Sequence, residues 1–349
     1  MTDQSPEHDP MLEAARRQAE AARRRARKRG PTDPEQIGPY NIVARLGSGG
    51  MGIVFLAEHQ QSGRVAALKV LRPGLESASA GRRFAQEIEI LRRLDHPGIA
   101  RFFEAGTTLL GGVERAFYAM EYVPGRHIIR HCEINNLPTE RRLELFARVC
   151  EAMAHAHAHG VLHRDIKPHN ILVELPAAPK IMDFGVARLA RSDKTTMHTQ
   201  IGQVLGTVQY MSPEQVQGRH DELDERSDVY ALGVVLYELL CGQLPFSYDP
   251  GDTAGFLRAL REGIPARPSE VNPSLSESVC RVILTAMARE RSQRYPSAEA
   301  MREDILRAAR GEPSLGVAHA TDPAGKPRRK VSGLSRLLRL GGFSDAARG

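Results

Sequence analysis

A glycine-rich run at residues 47–54 (GSGGMGIV) is the first stretch of this chain whose composition indicates chemistry. Glycine has no Cβ, so backbone N–H groups in such a run can approach phosphate oxygens closely. The same spacing also occurs in dinucleotide-binding loops and in plain flexible turns. A dinucleotide loop opens a helix, whereas residues 53–56 (IVFL) have a composition typical of a strand. No Gly-Lys-Ser/Thr closes the run, which excludes a Walker A loop.

Lys69 ends an apolar, strand-like run at residues 66–69 (AALK). A lysine at a strand end is, taken alone, usually a solvated surface residue. Further along the chain, Glu87 lies between Phe84 and Leu91 on the apolar stripe of a predicted helix. A carboxylate that faces a core needs a cationic partner, because an unpaired buried charge is costly. We therefore predict that Lys69 and Glu87 form an ion pair.

Two further motifs follow in the second half of the chain. Residues 163–170 read HRDIKPHN, and after an apolar stretch residues 183–185 read DFG. They resemble the catalytic loop H-R-D-x-x-x-x-N and the D-F-G motif of the protein kinase family, with the glycine run and the strand lysine in the family's order. Residues 212–214 (SPE) are similar to its A-P-E motif. The resemblance covers residues 40–308 and is greatest to the bacterial members of the eukaryotic-like (Hanks-type) Ser/Thr kinases.

The resemblance implies that the chain transfers the γ-phosphoryl group of ATP to a protein hydroxyl. In that reaction the protein mainly positions groups and neutralises charge. Asp165 would accept the proton of the substrate hydroxyl, and Lys167 would reach the γ-phosphate. Lys69 would hold the α- and β-phosphates while Glu87 fixes its ammonium group. A structural pair between Glu214 and Arg294, and bracing of the catalytic loop by Asp228, are implied as well.

The resemblance also implies a nucleotide and metal site between two lobes. Asn170 and Asp183 would supply oxygen ligands to Mg²⁺, with two ions expected and Mn²⁺ as a substitute. The glycine run would cover the phosphates, and adenine would lie in an apolar pocket and hydrogen-bond to the backbone of Glu121 and Val123. Besides Lys69, Asn170 and Asp183, the residues assigned to the nucleotide are Leu46, Gly47, Ser48, Gly49, Gly50, Met51, Gly52, Ile53, Val54, Ala67, Met120, Glu121, Val123 and Leu172.

Two features resemble the Ser/Thr branch of the family and not the Tyr branch: residues 167–168 (KP) and residues 206–207 (GT). Arg164 lies beside the catalytic Asp165, and a guanidinium there tends to seek an anion. We predict that autophosphorylation of the activation segment supplies that anion. The candidate acceptors in its polar stretch (SDKTTMHTQ) are Thr195, Thr196 and Thr199.

Short elements of two kinds must position these residues. Apolar and β-branched runs predict an antiparallel sheet, interrupted by one helix around residues 84–94. From residue 137 onward, apolar residues recur at helical spacing. The runs are 40–45, 53–58, 65–71, 102–107 and 117–123 for strands, and 139–159, 227–241, 253–261, 275–288 and 297–308 for helices. The predicted architecture is the α+β two-lobed protein-kinase fold, with a small antiparallel β lobe carrying one helix and a larger, mostly helical lobe.

Composition places the folded body at residues 37–310, divided into lobes at 37–123 and 124–310. Residues 1–36 are expected to be a charged tail, disordered or partly helical, and residues 311–349 a basic tail. The body carries 33 basic and 32 acidic residues, so the basic pI comes mostly from the tails. A body near neutrality disfavours a dedicated nucleic-acid binder, although the basic run at 23–29 leaves a tail-driven interaction open.

Several features favour a cytoplasmic protein. The four cysteines form no C-x-x-C pair, and the polar start of the chain lacks the apolar core of a signal peptide. The longest apolar stretch, residues 229–242, is too short for a bilayer that needs about 20 residues, so we predict a buried helix there. A basic and apolar stretch at 326–340 is open to contact with a membrane surface or to disorder.

A protein of another class, a pseudokinase scaffold that binds partners without phosphotransfer, is the main alternative. Such proteins usually lack the strand lysine, the catalytic aspartate or the metal-binding aspartate. Lys69, Asp165 and Asp183 are all present here, which favours an active enzyme acting on proteins with Ser or Thr acceptors.

Overall fold

The computed structural model describes residues 27–28, 30, 32–49, 52–72, 88–89, 91–174, 178–184, 208–246, 255, 258–260 and 263–316. Most of both predicted tails lies outside these ranges. So do six residues with predicted roles: Gly50, Met51, Glu87, Thr195, Thr196 and Thr199.

Among the described residues, seven strands form one antiparallel sheet in the first lobe, in the order β1-β3-β4-β5-β7-β6 with β2 beside β3. The bounds are β1 Arg27–Lys28, β2 Gln36–Ile37, β3 Tyr40–Gly49, β4 Gly52–His59, β5 Val65–Leu71, β6 Phe102–Leu110 and β7 Val113–Glu121. The predicted antiparallel sheet is confirmed. The last of the predicted runs begins earlier than expected and ends at Glu121.

Strand β5 shows why this sheet has two different faces. Successive side chains of a strand point to opposite sides. Ala66, Leu68 and Val70 therefore share one side, where they belong to a core cluster of the small lobe alone. Ala67 and Lys69 share the other side, and Ala67 belongs to the large core that continues into the second lobe. The second face of the sheet is thus the one turned toward the cleft.

Some residues of the segment assigned to the charged tail contact the first lobe. Arg27–Lys28 pairs antiparallel with β3. Asp33 is buried, and its carboxylate accepts hydrogen bonds from the Gly30 N–H at 2.8 Å and from Arg45 Nε at 3.0 Å. Composition does not indicate these contacts, because the segment is polar and its ion pair joins a buried Asp33 to a partly exposed Arg45.

The second lobe is mostly helical, as predicted. Its helices are α1 Ile128–Ile134, α2 Thr139–Ala158, α3 Pro213–Val216, α4 Glu225–Cys241, α5 Pro268–Val271, α6 Glu277–Ala286 and α7 Ala298–Ala309. Helix α4 begins after Asp224, whose side chain accepts from the Arg226 N–H at 2.9 Å. Nearly all of its side chains are buried, as predicted for the apolar stretch at 229–242. Most of the predicted helix at 253–261 lies outside the described residues.

A small second sheet lies beside residues 163–170 and 182–184. Its strands are β8 Arg126–His127, β9 Ile171–Glu174 and β10 Ala178–Ile181, in the antiparallel order β10-β9-β8. Gly125 is required next to it, since a Cβ there would lie 2.6 Å from the Val173 carbonyl oxygen. A parallel bridge between Ile99 and Ile181 ties the segment before β6 to this sheet.

The folded body also continues beyond the predicted boundary at residue 310. Asp304, in α7, accepts hydrogen bonds from Tyr295 Oη at 2.6 Å and from Ser314 Oγ at 2.7 Å. It accepts two more from the backbone N–H groups of Leu315, at 2.8 Å, and Gly316, at 3.0 Å. The first residues of the predicted basic tail are therefore part of the second lobe.

No helix in the described part of the chain is long and apolar enough to cross a membrane. The same residues contain no group of three or more His, Cys, Asp and Glu side chains placed to hold a metal ion. All four cysteines are free thiols. Burial raises the pKa of Cys132 to about 11 and that of Cys241 to about 12.

Candidate active site

One buried carboxylate braces the loop at residues 163–170. Asp228, in the first turn of α4, accepts from the backbone N–H groups of His163 and Arg164, both at 2.8 Å. His157 Nε2 lies 3.0 Å from the same carboxylate and donates to it, since an ionised carboxylate only accepts. Burial by itself would raise the pKa of Asp228, but these donors hold it below its ordinary value. The bracing that the family resemblance implied is present.

The loop turns sharply at Arg164, whose φ of 63° lies in the left-handed region. Few residues other than glycine adopt this conformation, at a cost of about 1–3 kcal/mol. Gln215 Nε2 donates to the Arg164 carbonyl oxygen at 3.0 Å, and Asp228 holds the N–H of the same residue. The two contacts act on both sides of the Arg164 backbone and stabilise the turn.

His163 connects the catalytic loop to the DFG motif. Its Nε2 lies 2.9 Å from the Met182 carbonyl oxygen and therefore donates, while Nδ1 accepts from the Asp165 N–H at 3.3 Å. Its ring packs 4.7 Å from that of Phe184. Burial lowers the pKa of His163, so the neutral form that fits both contacts is favoured. Residues 163–165 and 182–184 are thus held together.

The side chains expected to act on the acceptor hydroxyl lie together in this loop. Lys167 Nζ is 2.9 Å from Asp165 Oδ2. Asn170 Nδ2 donates to the Asp165 carbonyl oxygen at 2.8 Å and lies 3.4 Å from Oδ2. Because its nitrogen is used in this way, the amide oxygen of Asn170 is the atom that can serve as a ligand.

Asp183 receives two donors from the other lobe. Lys69 Nζ lies 2.7 Å from its Oδ2, and Tyr118 Oη donates to its Oδ1 at 2.9 Å. Burial would raise the pKa of Asp183, but the charge and hydrogen bond of Lys69 and the hydrogen bond of Tyr118 hold it low. Asp183 also has a left-handed backbone, with φ of 58°. The predicted partner of Lys69, Glu87, lies outside the described residues.

The register of the sheet explains how these groups meet. Lys69 in β5 is directly opposite Val54 in β4 and Tyr118 in β7. Ala67 is opposite Met120, two residues along each strand. Since every second residue of a strand shares a face, all five side chains lie on the cleft side of the sheet.

The glycine run lies where β3 turns into β4. Gly47 is opposite Val54, and Gly49 is opposite Gly52. A Cβ at Gly52 would collide with the Val70 carbonyl oxygen, whereas one at Gly47 or Gly49 would meet open space. Gly52 is therefore required for strand packing, and Gly47 and Gly49 leave the side toward the cleft uncovered.

The segment joining the lobes carries the residues predicted to bind adenine. Met120 and Val123 are buried, and the Glu121 N–H donates to the Arg101 carbonyl oxygen at 2.8 Å. The Glu121 carboxylate is held by Lys180 Nζ at 2.6 Å. The backbone atom of Glu121 that can make the predicted hydrogen bond to adenine is therefore its carbonyl oxygen. Of the remaining pocket residues, Val54 and Leu172 are half-buried and Leu46 is exposed.

A fully buried ion pair lies behind the catalytic loop. Arg294 makes two parallel hydrogen bonds to Glu214, at 2.7 and 2.9 Å, and Ser227 Oγ donates to Glu214 at 2.7 Å. Burial would raise the pKa of Glu214, but these donors lower it to about 2. The neighbouring Gln215 donates to the Arg164 carbonyl oxygen in the loop at residues 163–170. The Glu214–Arg294 pair therefore helps to hold this loop in place.

Three contacts of this site were not predicted from the sequence. Tyr118 lies in a predicted strand and His157 in a predicted helix, and neither pattern, nor the sequence around Gln215, indicates a partner in the cleft. Each partner lies more than 50 residues away in the chain. The only sequence feature that sets Tyr118 apart is a polar aromatic side chain on the same strand face as Met120.

Comparison with known proteins gives the family. A model of the protein kinase domain matches residues 40–306. The serine/threonine-protein kinase PknB of Mycobacterium leprae is 38% identical over 294 residues, and that of Mycobacterium tuberculosis 39% over 287 residues. These alignments cover 83% and 81% of this chain. The chain spans about half the length of these relatives, 46% and 45% respectively.

Solved structures agree with this result. A crystal structure of the Mycobacterium tuberculosis PknI kinase domain aligns with a TM-score of 0.61 at 27% identity. The alignment covers 79% of this chain and 99% of that one. The two-lobed architecture of the chain is therefore that of a kinase domain.

Proposed function

This chain belongs to the protein kinase family, and from that premise we propose that it transfers the γ-phosphoryl group of ATP to Ser or Thr hydroxyls of proteins. One observation carries the proposal. Lys69 reaches across the cleft to Asp183, 114 residues away, and Asp183 is tied through Met182 and His163 to the loop that bears Asp165. A cation, a metal-binding carboxylate and a proton acceptor are thus assembled around one cleft.

Each of these residues has a role that its surroundings support. Asp165 accepts the proton of the acceptor hydroxyl, and its backbone position is fixed by the Asp228 and Asn170 contacts. Lys167, 2.9 Å from Asp165, is placed to neutralise charge on the transferred phosphoryl group. Lys69 turns from Asp183 to the α- and β-phosphates when nucleotide binds, and Glu87 takes part in holding its ammonium group.

The residues present fit a divalent cation. Asp183 offers a carboxylate with a lowered pKa and Asn170 an amide oxygen, which are the hard oxygen ligands that Mg²⁺ prefers. When bound, Mg²⁺ neutralises the developing charge on the phosphate oxygens. We propose that these two side chains hold two Mg²⁺ ions together with the nucleotide phosphates, and that Mn²⁺ can replace them.

The nucleotide itself is proposed to lie under the cleft face of the sheet. Gly47 and Gly49 leave room there for phosphates beside the turn at residues 47–54. Ala67 and Met120, opposite each other on β5 and β7, form an apolar wall for adenine. Hydrogen bonds to the carbonyl oxygen of Glu121 and the N–H of Val123 complete the site.

Acceptor type and regulation follow from similarity. The matched relatives are named serine/threonine-protein kinases, which supports Ser and Thr as acceptors. Autophosphorylation at Thr195, Thr196 or Thr199 is proposed to provide an anion for Arg164. We propose one kinase domain that includes the predicted residues 37–310 and also Asp33 and residues 311–316, which the contacts of Asp33 with Arg45 and of Leu315 with Asp304 support.

The experiment is phosphotransfer by the purified chain with Mg²⁺ and labelled ATP, followed by mapping of phosphorylated residues. Label should appear on Ser or Thr of the chain or of an added protein acceptor. Asp165→Asn should lower the rate by about 10²–10⁴-fold, and Lys69→Met should also abolish most of the activity. A folded wild-type chain that binds Mg·ADP but transfers no label would instead favour the scaffold alternative.

A further inference from the structure

Tyr118 lies in the candidate active site, yet none of the proposed roles uses it. Its side chain is buried, and its hydroxyl donates to Asp183 Oδ1 at 2.9 Å. It stands directly opposite Lys69 in the sheet and on the same face as Met120. Lys69 Nζ lies 5.9 Å from the centre of its ring.

The two donors to Asp183 differ in how far they can move. Lys69 is a flexible chain whose ammonium group is needed at the nucleotide phosphates. Tyr118 is a planar ring with few rotatable bonds; it is buried and stacks on Phe102. Its hydroxyl therefore stays near Asp183 when Lys69 leaves.

Asp183 needs such a fixed donor. Its backbone is in the left-handed region, and its side chain is one-fifth exposed at the cleft. A carboxylate without a fixed donor rotates about its terminal bond, whereas a metal ligand must present one defined oxygen. The Tyr118 hydroxyl supplies such a donor, 2.9 Å from Oδ1 of Asp183.

We propose that Tyr118 is a positioning residue of the divalent-cation site: it holds Oδ1 of Asp183, so that Oδ2, once released by Lys69, is the oxygen presented to the cation. The inference rests on the proposed function, in that it assumes a metal–nucleotide ligand. Residues that orient a metal ligand in this way typically change metal affinity by about 10–100-fold when they are removed. Removal of the Tyr118 hydroxyl should therefore weaken Mg²⁺ binding beside the bound nucleotide.

The test measures binding by the full chain and does not require phosphotransfer. ADP affinity is determined by calorimetry without metal and across a Mg²⁺ titration for wild type, Tyr118→Phe and Tyr118→Leu. The matched control is Tyr295→Phe, which removes another buried tyrosine hydroxyl bonded to a carboxylate, Asp304, far from the cleft. Thermal unfolding of each variant is recorded in parallel.

In the absence of metal, both Tyr118 variants should bind ADP with the affinity of wild type. The Mg²⁺ concentration that gives half of the maximal increase in ADP affinity should rise about 10-fold. The control should lose thermal stability without any change in Mg²⁺ dependence. In kinase assays of Tyr118→Phe, the rate at low Mg²⁺ should fall and recover at high Mg²⁺.

Three results would overturn the inference. They are a Tyr118→Phe variant with wild-type Mg²⁺ dependence, a Mg²⁺ dependence shifted equally in Tyr295→Phe, and a wild-type chain whose ADP affinity ignores Mg²⁺. A chain that shows the expected Mg²⁺ coupling but transfers no phosphate would contradict the proposed function and leave the role of Tyr118 supported.

Discussion

The two aspartates of the cleft are held in place by different parts of the molecule. Asp165 belongs to a loop that is braced within the second lobe, by Asp228, by Gln215 and, below them, by the Glu214–Arg294 pair. Asp183 instead receives both of its side-chain donors, Lys69 and Tyr118, from the first lobe. Contacts within the second lobe therefore position Asp165, the proposed proton acceptor, whereas the position of Asp183, the proposed metal ligand, depends on how the two lobes face each other.

The largest expected effect comes from removing the charge of Glu214 beneath the braced loop. Glu214→Gln leaves Arg294 as an uncompensated buried charge, which should lower the free energy of unfolding at pH 7 by about 3–5 kcal/mol. The pKa of Glu214 is lowered from its ordinary 4.5 to about 2, so its contribution is complete above pH 4.5 and is lost as pH falls toward 2. Wild type and variant should therefore converge in thermal unfolding scans between those pH values. If the difference in unfolding temperature between wild type and variant stayed constant over that pH range, the Glu214–Arg294 pair would not be the source of the stability lost in the variant.

A smaller effect, seen mainly in catalysis, is expected from Asp228→Asn. The amide can accept only through one oxygen, so at least one of the N–H groups of His163 and Arg164 loses its partner. Displacement of Asp165 should lower kcat by about 100-fold, while affinity for Mg·ADP stays within about threefold of wild type. Steady-state kinetics and calorimetry separate the two quantities.

The control for this variant is Asp304→Asn, which disturbs another buried carboxylate with several donors, remote from the cleft. It should lose stability and retain kcat. Equal losses of kcat in both variants would show that Asp228 acts only through global stability.

The smallest expected effect concerns an exposed ion pair whose N–O distance is similar to that of the Glu214–Arg294 pair. Arg141 and Glu144 are 2.7 Å apart in α2, but their side chains are 68% and 49% exposed. Arg141→Ala should change the free energy of unfolding by less than about 0.5 kcal/mol in denaturant titrations, because solvent screens the pair. If Arg141→Ala lowered the free energy of unfolding by nearly as much as Glu214→Gln, burial would not explain why the Glu214–Arg294 pair is the more stabilising of the two.

The sequence allowed the fold and the polar residues of the cleft to be predicted for a physical reason. Strand and helix patterns repeat over a few neighbouring residues. The spacing of apolar residues therefore predicts the sheet at residues 40–121 and helices such as α2 and α4. Lys69 and Asp183 were found because their motifs follow one another in a recognisable order.

Contacts that join distant segments were not predictable in the same way. A tyrosine in a strand is usually part of a core, and nothing near Tyr118 in sequence indicates that its hydroxyl meets Asp183. His157 reads as one histidine among several until α4 brings Asp228 to it. The contact of Asp33 with Arg45 was not predictable for the same reason, since it forms only when β3 lies against the segment before it.

The state of the four thiols has a practical consequence for studying this two-lobed arrangement. Three cysteines are buried, and the pKa of Cys241, the fourth, is raised to about 12, so thiolate is scarce at neutral pH. Maleimide dyes should therefore react much faster with cysteines introduced at exposed sites, for example at Gln61 in one lobe and Glu303 in the other. Energy transfer between such a pair would follow the opening and closing of the cleft without replacing any native cysteine.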